Sequence, residues 1–206
     1  MKQMSFSFIF LLILVFAGRA MAVSVLPLTL NDLYSNARFI FYGKCISVQE
    51  TVDSATGFPS TYTTFNVIQV IKGNVATVTT IKQFGGSNPD TGESVSIPDN
   101  PHFKVGKEYV VFLPTPSKLG YSSPVGLSQG VFNILLDKSG KKSVSGQRSF
   151  DELLNVGPTV SADTTVPGNN TQTQQPKTLS PAGSNKSSRM PLEDFLTIIK
   201  SMEKPQ

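Results

Sequence analysis

His102 is the only histidine in the chain, so an imidazole-based metal site or a Ser-His-Asp triad would have to be built around it. It stands in the turn-rich run DNPHFKVG, near Asp99. Neither a nucleophile elbow containing serine, nor a second metal ligand, nor a paired-carboxylate motif accompanies it. The expectation is an exposed loop histidine without a catalytic role. Asp90, Glu93 and Asp99 are spaced too loosely for a calcium loop. Gly85-Gly86 lacks the Lys-Ser/Thr pair and following helix of a phosphate loop. Gln129-Gly130 offers a side-chain amide at a strand corner, although a turn fixed by Gly130 accounts for the pair equally well. Cys45 is the single cysteine, so no intramolecular disulfide can form. It reads as a small buried hydrophobe, with a reactive or dimer-bridging thiol as the alternative. These residues give no catalytic, cofactor-binding or metal-ligating assignment, and no cofactor is expected.

The compartment is read from the first residues. Lys2, the apolar run Phe6 to Gly18 and the Ala20-Met21-Ala22 site predict a cleaved secretory signal over residues 1–22. The run is shorter than the roughly 20 residues of a membrane span; an uncleaved anchor is the alternative. The expected mature chain is exported, periplasmic or extracellular, with no integral membrane segment. Removing Lys2 and Arg19 takes two positive charges off the formal +4. The remaining cations are scattered, without the aromatic interleaving of a nucleic-acid surface, so no nucleic-acid partner is expected.

The elements that must position these residues are mostly strands. TYTTFNVIQVIKG, from Thr61, is dense in β-branched and aromatic residues. Its apolar positions change parity along the run, which requires two buried faces or a bulge, devices that barrels use. Lys72-Gly73-Asn74 turns the chain into VATVTTIKQF, completing a hairpin. Ahead of it, Thr29 to Asp32 reads as a capping box, and Leu30, Leu33, Tyr34 and Ala37 form a helical stripe. FIFYGKCISVQETV follows as a long strand with a bend or bulge at Gly43. VSIP offers a brief edge strand, and KEYVVFLP, apolar at both parities, a central one. Gly120 to Asp137 is the final strand region, bent at Pro124, Gly126 and Gly130; KKSVSG pairs back, and Ser149 to Glu152 caps a short helix.

Residues 157–189 change to Thr, Ser, Asn, Gln, Pro and Gly, too polar to offset the entropy of ordering, so a disordered linker is expected. Two Asn-x-Ser/Thr sequons within it are what such a composition gives by chance. In PLEDFLTIIKSMEK, Leu192, Phe195, Leu196, Ile199 and Met202 fall on one helical stripe. The stripe is expected to dock on the strands, with a partner or membrane surface as the rival. The domain reading is a signal over 1–22, a β-barrel over 23–156, the linker over 157–189 and an amphipathic helix over 190–206.

From Leu28 to Asp137 the chain resembles an uncharacterised family of exported bacterial proteins. Gly43, Lys72, Gly73, Pro101, Phe103, Gly106, Tyr109, Phe112, Leu113, Gly126, Gln129, Gly130 and Phe132 stand in the places of that family's motifs. The sequence departs from the pattern at Lys107, where the family has an acid, with Glu108 one place later. More distantly it is similar to the netrin-like OB-barrel of tissue inhibitors of metalloproteinases. The resemblance implies a mainly β fold, a small OB-like/netrin-like barrel with short flanking helices and a C-terminal helix. Inhibition does not carry over, because those inhibitors reach zinc with a disulfide-tethered N-terminal cysteine that this chain lacks. The functional expectation is a non-catalytic binding module for a protein or cell-envelope partner, with Ser87 to His102 and Gly120 to Pro124 as contact regions. A metalloprotease-inhibitor-like protein and a hydrolytic enzyme using His102 are the alternatives.

Overall fold

Thr29 caps the first helix, α1 (Leu30–Asn36). Its hydroxyl accepts from the Asp32 amide at 3.0 Å, and the Asp32 carboxylate accepts from the Thr29 amide at 2.9 Å. The computed structural model describes residues 26–155 and 189–203. The expected signal segment, and the expected linker apart from Arg189, lie outside the described residues.

Three strands follow α1 as an antiparallel meander: β1 (Phe39–Val52), β2 (Pro59–Lys72) and β3 (Val78–Phe84). A small separate hairpin joins β4 (Gly86–Ser87) to β5 (Ser94–Val95). Then come β6 (Glu108–Leu113), a 3-10 turn (Leu127–Gly130), β7 (Val131–Leu136), β8 (Lys142–Ser145), helix α2 (Phe150–Asn155), β9 (Met190–Pro191) and helix α3 (Leu192–Ser201). Seven strands form one antiparallel sheet in the order β3-β2-β1-β6-β7-β8-β9. The fold is therefore mainly β with short helices and a C-terminal helix.

The parity change in β2 is resolved by bulges. Phe41 pairs with Val70 and Ile40 with Lys72, so Ile71 is extra, and Ile68 is passed over between the Tyr42–Gln69 and Gly43–Val67 pairs. A third irregularity sits between Cys45 and Ser47. Each extra residue raises local twist and re-aims the side chains that follow. Phe65 is thereby buried against one face of the sheet and Ile71 against the other. Gly43, at the second bulge, is where a Cβ would come within 3.0 Å of the Asn66 carbonyl. Gly73 turns the chain at φ +76°, where a Cβ would lie 2.6 Å from the Arg38 carbonyl.

Both faces of β6 and of the first part of β1 are covered, as the unbroken apolar run in β6 requires. Ile40, Tyr42, Val110 and Phe112 face the helices, where Leu33, Phe150, Phe195 and Ile199 pack on them in one cluster. Phe41, Cys45, Tyr109, Val111 and Leu113 face the opposite side with Phe65, Ile81, Phe103 and Val131. On that side Phe65 meets Phe41, Phe103 and Tyr109 edge to face, with centroids 5.4, 5.0 and 6.3 Å apart. The sheet curls around this second cluster. Tyr121, on the segment leading to β7, forms a parallel bridge with Lys82 of β3, and the Ser122 amide donates to the Lys82 carbonyl at 2.8 Å.

The stripe of α3 docks on the sheet, with Leu192, Phe195, Leu196 and Ile199 buried. Pro191 is the N-cap of α3, and Met190 and Pro191 pair with Val144 and Ser143 as an edge strand. Gly120 to Asp137 is a strand only from Val131. Gly126 adopts φ +62° and the chain makes a 3-10 turn before β7. No helix among the described residues is long and apolar enough to cross a membrane.

Candidate functional site

The loop after β1 is tied by one carboxylate. Asp53 accepts at Oδ1 from the Thr56 amide at 2.9 Å and the Thr56 hydroxyl at 2.8 Å, an Asx-type turn. At Oδ2 it accepts from the Lys82 ammonium at 2.7 Å and from the Tyr62 hydroxyl. Four donors on a carboxylate that is 5% exposed leave no lone pair to be hydrated. Lys82 first, then Tyr62 and Thr56, hold the Asp53 carboxyl well below the usual carboxylate range. The same hydrogen bond pushes the Lys82 ammonium up. Bonding to the Asp53 carboxylate also pushes the Tyr62 phenol up.

This network crosses to the segment between β6 and β7. The Tyr121 hydroxyl shares hydrogen bonds of 3.0 Å with the Thr56 and Ser60 hydroxyls. Lys82 lies 4.2 Å from the Tyr121 ring centroid and donates to the Leu119 carbonyl at 2.9 Å. Phe84 packs edge to face on Tyr121 at 5.8 Å and on Phe58 at 5.6 Å. The result is a surface on the outer side of β2 and β3 where Phe58 and Leu119, 54% and 57% exposed, stand beside locked polar groups. It presents aromatic edges and hydroxyls on a rigid frame, the chemistry of recognition rather than bond breaking.

On the opposite side of β2 and β3 is a cavity of about 240 Å³ at the end of the inner cluster. Gln83 and Thr61 form one wall, the β4–β5 hairpin another, and Asn100 to Phe103 close it. His102 is exposed at its rim and forms no hydrogen bond among the described residues. Asp99 is not its partner: its carboxylate accepts from the Ser128 hydroxyl and, at 2.9 Å, from Gln147. Gly86 adopts φ +134°, and a Cβ there would meet the Thr61 hydroxyl at 2.8 Å, so the backbone runs hard against the cavity wall.

The other residues singled out in the sequence resolve structurally. Gln129 is buried and reads the backbone of the entering chain, accepting from the Leu28 amide at 2.9 Å and donating to the Leu26 carbonyl at 3.2 Å. Gly130 has no room for a Cβ, which would fall 2.3 Å from the Val125 carbonyl. Cys45 is fully buried in the inner cluster, and that burial pushes its thiol up, away from thiolate chemistry. Among the described residues no three His, Cys, Asp or Glu side chains come together as a metal site.

A second ionised cluster, Tyr42, Glu108 and Lys142, closes the far end of the sheet. Lys142 donates to Glu108 at 2.8 Å and to the Tyr42 hydroxyl at 2.7 Å, and that hydroxyl bonds Glu108. Its ion pair, Lys142 with Glu108, is more exposed than that of Lys82 with Asp53.

Neither Asp53 nor Lys82 stood out in the sequence, whereas Tyr121 lies within the Gly120 to Pro124 stretch expected to make contacts. The available signal was the Asp53-Ser-Ala-Thr56-Gly57 turn signature; the pairing with Lys82 and Tyr121 needs the sheet. No protein-family model matches the chain, and no curated protein matches it in sequence.

Proposed function

We propose that the protein is an exported, non-catalytic binding module of OB/netrin-like type, related to the exported bacterial family it resembles, and that it contacts a protein or cell-envelope partner. The observation that carries this reading is the Phe58–Phe84–Tyr121 surface held in place by Asp53 and Lys82. OB-type barrels bind along the face of their second and third strands and through the loops after the first and fourth strands. On that reading, with β6 counted as the fourth barrel strand, the corresponding places are β2, β3, the Asp53–Phe58 loop and the segment carrying Leu119 and Tyr121. Interface energy concentrates in rigid aromatic anchors, because a pre-ordered ring loses little conformational freedom on binding.

The test is capture on immobilised mature protein from an envelope extract or culture medium of the producing cell. A Phe58→Ala, Leu119→Ser double variant serves as the comparison, both sites being exposed. Recovery of a partner by the wild type, with a loss of about tenfold or more in the variant, is the expected result. Equal recovery by both would move the interface elsewhere, and repeated recovery of nothing would sink the reading.

A further inference from the structure

The cavity at the end of the inner cluster is a different place from the proposed partner face, and its chemistry is one-sided. Asn100 Nδ2 donates to the Phe84 carbonyl, which leaves Asn100 Oδ1 as an acceptor, and Gln83 Nε2 donates to that oxygen at 2.9 Å and to the Pro101 carbonyl. The Gln83 amide is thereby fixed in orientation. Its Oε1 receives no donor among the described residues; it is not among the fully enclosed unpartnered polar atoms, so on this otherwise buried residue it opens on the cavity that Gln83 lines.

Glu50 lines the same cavity. One of its oxygens accepts from the Ser87 amide at 2.8 Å, and the other takes no hydrogen bond among the described residues. No Lys or Arg is in the lining, whose one other titratable group is His102 at the rim. The surrounding chain is biased in the same direction. From Gln83 to Phe103 it carries Asp90, Glu93 and Asp99 and neither Lys nor Arg, within a protein whose formal charge is +4. Val48, Ile97 and Phe103 supply apolar wall. At about 240 Å³ the space suits a group of side-chain size rather than a drug-sized ligand.

We infer that this cavity is a binding site for a primary ammonium on a small frame, with Glu50 as its counter-ion and Gln83 Oε1 as an acceptor open to the cavity. The frame is either an alkyl chain, as in a lysine side chain, or an amino sugar. The experiment is a backbone-amide NMR titration of the mature protein with n-butylammonium and with glucosamine. Their neutral counterparts, N-butylacetamide and N-acetylglucosamine, are the controls. Saturable shifts at Gly85, Gly86, Ser96 and His102 with a charged probe are expected. A response to butylammonium alone identifies an alkyl frame, to glucosamine alone a sugar frame, and to both a site that reads the ammonium itself.

Glu50→Gln should weaken binding about tenfold or more, because a charge-assisted hydrogen bond is replaced by a neutral one. Ser96→Trp, at an exposed lining position, should abolish it by filling the mouth. Gln83→Leu also disturbs Asn100, so the two exposed variants carry the test. No saturable shift up to about 100 mM probe, equal binding of the neutral controls, or indifference to both variants would overturn the assignment.

Discussion

The two faces of β1 and β6 are equally apolar in sequence, yet they are finished in different ways. On the helix side Phe132 is surrounded by Phe112, Phe150 and Phe195 at 5.5, 6.3 and 4.7 Å, and α3 seals the cluster. On the inner side the Phe41–Phe65–Phe103 cluster runs out into Gln83 and the cavity. Thr63 Oγ1 is buried with no partner, and it shares a face with its cross-strand neighbour Ile81. A face closed by a helix can be wholly apolar. A face closed only by a curled sheet and a loop ends at a mouth, and polar groups at that mouth cost stability. Such groups persist where they have something to bind.

The largest effect should come from deleting residues 189–206. That removes Leu192, Phe195, Leu196 and Ile199 from the sheet, at about 1.5–3 kcal/mol for each buried side chain. The sum is comparable with the whole stability of a domain. The expected outcome is loss of the cooperative unfolding transition, read by circular dichroism; a retained transition would show that the helix side is not the stability-determining core.

Phe195→Ala should cost about 3–5 kcal/mol in chemical denaturation, and Phe103→Ala, beside a mouth that can relax, about 3 kcal/mol or less. Equal losses would erase the distinction between the sealed and the open face.

Acid sensitivity should follow Asp53. Its folded pKa lies below the unfolded value, so its stabilising effect is complete above the ordinary carboxylate pKa and is lost as pH falls from there toward the folded value. Asp53→Asn should therefore be less stable than wild type at neutral pH. The gap should narrow below about pH 4, measured as denaturation midpoints across that range; a gap that stays constant would mean the carboxylate charge is not what matters. Glu108 also lies low, since Lys142 and Tyr42 outweigh the burial that would raise it. Its greater exposure predicts a smaller effect.

The smallest change, and the one of opposite sign, is Thr63→Val. Replacing an unpartnered buried hydroxyl by a methyl of the same shape should stabilise by about 1 kcal/mol. A destabilisation would mean that the hydroxyl has a hydrogen-bond partner in solution.

Much of the fold was legible because periodicity reports burial. Tyr109, Val111 and Leu113 against Val110 and Phe112 gave two covered faces for β6, and the parity change after Phe65 gave the bulges of β2. The α3 stripe could be read for the same reason. Met190–Pro191 could not be read as a strand, since two residues including a proline carry no period. Nor does any local pattern mark Gly86 as the start of a short strand paired with Val95.

The site was far less visible. His102 and Asp99, three residues apart in the sequence, do not meet: Asp99 bonds Ser128 and Gln147, while His102 stands at the cavity rim. Asp53 and Lys82, separated by a hairpin, form a close ion pair. Sequence by itself determined the long strands, the hairpin turn at Gly73 and which segment returns as an amphipathic helix, because those follow from local sterics and from the free energy of burying a stripe. The tertiary structure alone decided which face is sealed and which is left open. It also decided that Gln83, Glu50 and Asn100 share a cavity and that Phe58, Phe84 and Tyr121 share a surface. Those neighbours are set by strand register and sheet curvature, which no local pattern encodes.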